Sequence, residues 1–365
     1  MGVQMKRIIM IAAVFLLLLG FAGGVDVSAA YEDEEAEISG QVNELLNEYD
    51  LGLDMADLSG MGFGDIIAEF RRAAKERASA PLKMLGALLI VIVFTSVVRS
   101  TGESLIPGEG AAQMYDMVCV ITAVTVIAPQ LTSVYSHSLG AIERVGGFIT
   151  LFVPVLAGLM IASGGITSGG FYNIAALTAS EVTVSLSRSY LVPVLGLTAV
   201  LAVSGSVFPN ASVDAFLGLI KRVTVWGMTV VMTLFTGFVT LKCSLAAKTD
   251  GAVTKTAKFM ISGFVPVVGN AVSDAYSTVR GSFDVIGGAV GTAGILAVLL
   301  IMLEPVAEIV LFRLVMWIGT AAAEMFSAAP VAKLLKGLDS GLAIAQSVLI
   351  CYAVMFIIST AILIQ

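Results

Sequence analysis

The chain has 365 residues, of which 58% are hydrophobic and only 13% are charged, and its mean hydropathy is +0.97. A soluble core of this size cannot enclose so much apolar surface, so the composition excludes an ordinary soluble protein and predicts an all-α protein that crosses a membrane several times. The net charge of −7, the single histidine and three widely separated cysteines exclude the usual metal and disulfide patterns, so we expect no cofactor, no metal and no nucleic-acid partner.

Residues 1–29 have the three parts of a secretory signal peptide. Lys6 and Arg7 form the positive end, Ile8–Phe21 is the apolar core, and small residues follow it. The spacing predicts cleavage after Ala29 or Ala30. A signal anchor that is retained in the membrane is the alternative.

Residues 30–80 form a short acidic region that a signal peptide would export. No Lys or Arg lies between Ile8 and Phe70, whereas 12 acidic residues lie between Glu32 and Glu69. Apolar residues at helical spacing predict a first helix with one apolar stripe: Ile38, Val42, Leu45, Leu46 and Tyr49. This stripe could pack on the next helix, on the membrane or on another protein.

A second helix of this region, from about Gly64 to Pro81, is predicted to be amphipathic and basic. Its apolar face contains Ile66, Ile67, Phe70 and Ala74, and its polar face contains Arg71, Arg72, Lys75, Glu76 and Arg77. The pattern is typical of a helix lying on lipid headgroups. A solvated helix stabilised by pairs such as Arg72 with Glu76 is the alternative.

From residue 81 onwards the sequence predicts about eight transmembrane helices, two of them within residues 81–135. The clear apolar stretches are Leu82–Val98, Met117–Val134, Val145–Ala162, Leu191–Val207, Val223–Leu241, Val285–Leu303 and Leu342–Ile364. Three further stretches are ambiguous because they are short or contain charges: Ile174–Leu186, Ile261–Val272 and Val306–Trp317.

An internal repeat is predicted to divide the membrane part into residues 136–241 and residues 242–365. The motif Phe-Val-Pro-Val occurs around both Pro154 and Pro266, which are 112 positions apart, and the same offset superposes Pro193 on Pro305. Prolines that interrupt helices at matching positions of two membrane halves point to a central pathway. Pro154 and Pro266 are therefore candidate helix breaks beside such a pathway.

The lysines between Lys242 and Lys258 predict a cytoplasmic loop, which would make the two repeats inverted relative to each other. The basic helix before Pro81 contradicts the same rule, because an exported N-terminal region would place its arginines outside.

Ionisable residues in apolar stretches are the default functional candidates of a membrane protein. The candidates here are Glu181, Arg188, Arg280, Asp284, Glu304, Glu308 and Arg313. Glu304 and Glu308 share one helix face, where their repulsion needs a cation such as Arg313 or water. The alternative is that these groups lie at membrane interfaces near helix ends.

These features together resemble the stage III sporulation protein AE family of endospore-forming bacteria. The resemblance rests on the signal peptide, the acidic segment, the basic helix before Pro81, and the motif at Phe152–Met160 with its echo at Phe264–Gly269. It implies a multispanning protein made in the mother cell, in the membrane around the engulfed forespore. There it would join other membrane subunits in a channel or secretion-like complex that supports late forespore development.

Three functions compete at this stage. The first is a non-enzymatic subunit of that sporulation complex, and the second is a stand-alone secondary transporter with an inverted-repeat core. The third is an intramembrane enzyme, which is the weakest because the chain has no nucleophile with a base, no metal cluster and none of the common catalytic motifs. The family resemblance supplies no catalytic residues either.

Overall fold

The computed structural model describes residues 32–49, 52–105, 109–208, 213–264 and 269–364, and the regular structure in these ranges is helical. The predicted signal peptide, with Ala29 and Ala30, and Pro266 lie outside the described residues. A π-helical turn, Ser187–Leu191, joins the helix that ends at Leu186 to the helix that begins at Val192. The helices are α1 Glu32–Glu48, α2 Met55–Gly60, α3 Phe63–Arg77, α4 Ser79–Leu105, α5 Glu109–Ala162, α6 Ile166–Leu186, α7 Val192–Val207, α8 Val213–Phe264, α9 Gly269–Met325 and α10 Ala329–Ile364.

The all-helical prediction is confirmed, but the number of long apolar helices differs from the predicted eight or so. Within the described ranges, six helical stretches are long and apolar enough to cross a membrane. They are Ser79–Val98, Met114–Ala162, Ile166–Val207, Val213–Thr256, Arg280–Met325 and Ala329–Ile364.

Two of these helices each combine two apolar stretches that the sequence separates. Helix α5 has 54 residues and contains both Met117–Val134 and Val145–Ala162, and α9 has 57 residues and continues through Pro305. At 1.5 Å per residue they are roughly 80 to 85 Å long, more than twice the thickness of the hydrocarbon. The charged residues between the apolar stretches do not end the helices, because their side chains find partners on neighbouring helices.

The segment from Lys242 to Lys258 is wrongly predicted as a loop, because it is part of α8. The predicted boundary between the repeats, after residue 241, therefore falls inside a helix. Asp250 in this segment is buried, and its two carboxylate oxygens accept the backbone N–H groups of Thr167 and Ser168 at 2.9 Å. It thus satisfies the free N–H groups at the start of α6 and ties that helix to α8.

The core lies where α5, α9 and α10 pack together, and aromatic rings attach the N-terminal helices to it. Tyr49, just after α1, packs edge to face on Phe148, with 5.6 Å between the ring centres. Phe148 in turn stacks on Phe152, with 5.1 Å between the ring centres. Gly294 on α9 leaves room for the Phe152 ring, which a β-carbon there would overlap. This close packing places α1, α3, α5 and α9 around one polar cavity.

Candidate functional site: a charged cavity between the long helices

A cavity of about 690 Å³ lies near the middle of α5 and α9. Most of its lining residues have polar or charged side chains, although the helices around it are apolar. The lining residues are Tyr49, Arg77, Ser136, His137, Gly140, Glu143, Arg144, Glu304, Pro305 and Glu308. Convergent charged groups in an otherwise apolar bundle are the feature expected of a functional membrane site.

Glu304 connects three helices through its carboxylate. The Nε of Arg77, on α3, donates to Glu304 at 2.7 Å, and a terminal nitrogen of the same guanidinium also contacts it. A terminal nitrogen of Arg144, on α5, lies 4.0 Å from the other carboxylate oxygen. The hydrogen bond to Glu304 raises the pKa of Arg77, so this guanidinium remains charged at any physiological pH.

Glu308 is the most deeply buried carboxylate of the cavity, with 8% of its side chain exposed. Nδ1 of His137, on α5, lies 2.9 Å from one oxygen of this carboxylate and 3.2 Å from the other. The contact joins the middle of α5 to the middle of α9 inside the cavity.

Arg188 reaches the edge of the cavity from the π-helical turn. Its Nε donates to Glu143, on α5, at 2.7 Å. Pro193 follows at the start of α7, and because proline has no N–H it cannot continue the regular hydrogen-bond ladder. A π turn at this point is a known way to accommodate the missing donor and to redirect a side chain.

The predicted repulsion between Glu304 and Glu308 is relieved by residues other than the expected one. Arg77 and Arg144 face Glu304, and His137 faces Glu308. The proposed role of Arg313 in this pair was wrong, because its guanidinium is turned to a different helix.

Arg313 forms a second buried polar cluster between α9 and α10. Its Nε donates to Asp339 at 2.7 Å, and a terminal nitrogen donates to the side-chain oxygen of Gln346 at 2.6 Å. Only 7% of the Arg313 side chain and 12% of the Asp339 side chain are exposed. The guanidinium also lies 5.4 Å from the centre of the Trp317 ring. The cluster holds two apolar helices in one register.

Four other predicted site residues lie outside the cavity lining. Arg280, on α9, donates to the hydroxyl of Thr254 on α8, and Asp284 is exposed on α9. Glu181 is exposed on α6, and Pro154 is exposed on α5 and is absent from the cavity lining. The idea that Pro154 and Pro266 bend two helices around a pathway stays a prediction, as does the repeat itself.

Several cavity residues were missed in the sequence: Tyr49, Arg77, His137, Glu143 and Arg144. Glu143 and Arg144 carried a usable signal, because they are the charges between two long apolar stretches, but that position suggested a loop. Arg77 carried no such signal, because its partner, Glu304, is 227 positions away. Among the described residues, no group of three or more His, Cys, Asp or Glu side chains is placed to hold a metal ion.

The contact between Arg188 and Glu143 gives a first prediction. Both side chains are largely exposed, at 65% and 41%, so the pair should contribute less than about 1 kcal/mol. We expect Arg188→Ala to leave the melting temperature of the detergent-purified protein nearly unchanged. A loss as large as that from removing a buried ion pair would contradict this assignment.

Long apolar helices with charged groups inside the bundle define an all-helical, multi-pass membrane protein. The family described as Stage III sporulation protein AE matches residues 54–365, most of the chain, and the chain belongs to this family. It is 22% identical over 282 residues to the Stage III sporulation protein AE of Bacillus subtilis (strain 168), which covers 77% of this chain and 70% of the relative. No solved structure matches the chain.

Proposed function

We propose that this protein is a non-enzymatic integral membrane subunit of a channel or secretion-like complex that joins the mother cell to the forespore. Family membership implies a role in sporulation. The observation that supports a transport role is the cavity in which α3, α5 and α9 bring charged side chains together inside an apolar bundle.

The charge balance of the cavity favours a structural or gating role over capture of one strongly charged substrate. Two of its carboxylates, Glu143 and Glu304, contact arginines, and the third, Glu308, contacts His137. A site that selects one charged substrate needs an excess of the opposite charge. Charges that are already paired can instead separate and re-form as the helices move apart and close, which suits a structural or gating role.

The proposed location is the mother-cell-derived membrane around the forespore, with other membrane subunits of the complex as partners. Because the cavity lies between helices of one chain, whereas several long helices expose apolar faces, the lipid bilayer and neighbouring subunits are both expected to contact the chain.

Deletion of the gene in its sporulating host should test this function. We expect engulfment to finish, development to stop afterwards, and heat-resistant spores to fall to near background. A copy expressed only in the mother cell should restore the spores, whereas a copy expressed only in the forespore should not. Restoration by the forespore copy, or arrest before engulfment, would contradict the proposal.

A stand-alone secondary transporter is the competing function, and purification separates the two. The subunit function predicts that the tagged protein, extracted in mild detergent from sporulating cells, elutes with other membrane proteins of the mother cell. A transporter would elute as this chain alone and would still work in strains that lack those proteins.

A further inference from the structure

The long helices have two halves on either side of one layer of charged side chains, which we call the charged layer. It consists of Arg77, His137, Glu143, Arg144, Arg188, Glu304 and Glu308. Helix α5 extends from residue 109 to residue 162 and therefore continues well beyond this layer in both directions. Each half is about as long as a bilayer is thick, so the two together cannot fit into one hydrocarbon layer.

Helices α3 and α4 lie beside different halves. Arg77, at the end of α3, contacts Glu304, and Leu88 of α4 lies 3.9 Å from where a β-carbon on Gly319 would stand. Helix α4 thus follows α9 from Glu304 towards Met325. Helix α3, which ends at Arg77, also packs on α9, and Tyr49, which precedes α3 in the N-terminal region, packs on Phe148, on the other side of the charged layer from α4. We call the two parts of the bundle the α4 half and the α3 half.

A second set of charged contacts lies at the far end of the α4 half. Lys336 donates to Glu324, and Lys333 lies 3.8 Å from Asp214, which joins the ends of α8, α9 and α10. Glu308 and Glu324 are 16 residues apart, which is about 24 Å along a helix. Arg188 is 20 residues from Phe208, the residue that follows α7, which is about 30 Å along a helix. These lengths match the thickness of the hydrocarbon.

Charged side chains are distributed very differently in the two halves. Deep between the two charged sets, Arg313 and Asp339 are buried and paired with each other. On α8, Lys221 and the exposed Arg222 lie five and four residues before Trp226, about 6 to 8 Å along the helix, so their long side chains can reach the level of the charged layer. Lys83 lies about two turns from Arg77, close enough to reach the charged layer. The α3 half, in contrast, exposes unburied charges to its surroundings: Arg72, Glu76, Glu181, Lys242, Lys248 and Lys255.

Aromatic residues mark the same level as the charged layer. Tyr190 is two positions after Arg188, is 40% exposed, and its hydroxyl contacts that of Thr224 at 3.1 Å. Trp226, two positions after Thr224 on α8, is 68% exposed. Exposed Trp and Tyr are enriched where a transmembrane protein crosses from hydrocarbon to headgroups.

We propose that the bilayer surrounds the α4 half alone, with one lipid–water boundary at the charged layer, and that the α3 half stands outside the hydrocarbon. Six helical segments then cross the membrane, and helices α1 to α3, the lysines of α8 and the end of α10 lie on the same side of it. This arrangement puts the N-terminal region and the lysines between Lys242 and Lys258 on one side of the membrane, whereas the signal peptide and these lysines together predict opposite sides.

Exposed apolar residues in the α3 half, such as Ile174 at 70%, argue for lipid around both halves. The two costs are of similar size per residue, so the deciding point is which of them other contacts can remove. A charged side chain at the centre of a bilayer costs about 2.5 to 3.5 kcal/mol or more, whereas an exposed leucine or isoleucine costs about 1.5 to 3 kcal/mol in water. A neighbouring protein can cover an apolar residue, but lipid cannot solvate the exposed lysines of α8.

Spin labels at two matched positions test the proposal on one continuous helix. Ile174 and Val200 lie 14 and 12 residues on opposite sides of Arg188, and both are well exposed, at 70% and 65%. Each is changed to Cys in a full-length protein whose native Cys119, Cys243 and Cys351 are Ala, and the nitroxide-labelled protein is placed in liposomes. Collisions with lipid-soluble oxygen and with a water-soluble nickel chelate are then measured.

We expect oxygen collisions to dominate at position 200 and the oxygen-to-nickel ratio to fall sharply at position 174. Equal ratios at the two positions would overturn the proposal. Labelling of Glu44→Cys and Ala247→Cys with an impermeant maleimide provides a second measurement, and both residues are exposed. The two cysteines should react from the same side of sealed membranes, and reaction from opposite sides would also overturn it. Elution of each variant at the wild-type volume shows that it is folded.

Discussion

Reversing the charge at either end of the contact between Arg77 and Glu304 should reduce sporulation strongly, and reversing both together should restore most of it. Arg77→Glu would place a carboxylate against Glu304, one helical turn from Glu308. The contact is partly exposed, at 40% and 38%, so the repulsion should lie between about 1 and 4 kcal/mol. Glu304→Arg would bring together Arg77, Arg144 and a third guanidinium.

The double variant, Arg77→Glu with Glu304→Arg, keeps the attraction but exchanges the positions of the charges. It should recover much of the lost function, although Arg144 and Glu308 would then each face a like charge. The measurements are the titre of heat-resistant spores and the amount of protein in the membrane by immunoblot.

Arg72→Glu is the matched control for this experiment, because it makes the same change on the same helix. Within the part of the chain that the structure describes, Arg72 forms ion pairs with the neighbouring Glu69 and Glu76, and its side chain is 68% exposed. It should sporulate nearly normally. If the two single variants at the cavity were as active as this control, the cavity would have no part in the function.

The fold class could be predicted because hydropathy alone reveals apolar helices, but the joins between them could not. Residues 135–144 contain a histidine, a glutamate and an arginine, so the sequence favours a loop there. In the structure these residues continue α5, since His137 and Arg144 find carboxylates on α9. Whether a charge ends a helix thus depends on a partner that is remote in the sequence.

The candidate site could be predicted only in part, again because the partners of its charged residues are remote in the sequence. Glu304 and Glu308 stand out because they are charges in an apolar run, and both line the cavity. Their partners, Arg77, Arg144 and His137, come from α3 and α5, and no spacing within the sequence connects these residues to the two glutamates. Arg313 stood out equally well, but only the packing of α9 on α10 shows that it belongs to a different cluster.

Breaking the buried pair between Arg313 and Asp339 should have the largest effect on stability of any single substitution considered for this protein. Arg313→Ala would leave the Asp339 carboxylate buried and without its cation. It would also remove the N–H group that donates to the side-chain oxygen of Gln346. An unpaired buried charge of this kind typically costs about 3 to 5 kcal/mol. Thermal unfolding of the detergent-purified protein should show a clearly lower midpoint, with less protein in the membrane.

Replacing both partners by apolar residues of similar volume provides the decisive comparison. Arg313→Met with Asp339→Leu removes the desolvation cost together with the attraction, so the double variant should be far more stable than Arg313→Ala. Lys336→Ala is the control, because its contact with Glu324 is 63% and 55% exposed and should contribute less than about 1 kcal/mol. If the double variant were no more stable than Arg313→Ala, the cluster would hold α9 and α10 together by its hydrogen-bond geometry, and the cost would not come from an unpaired charge.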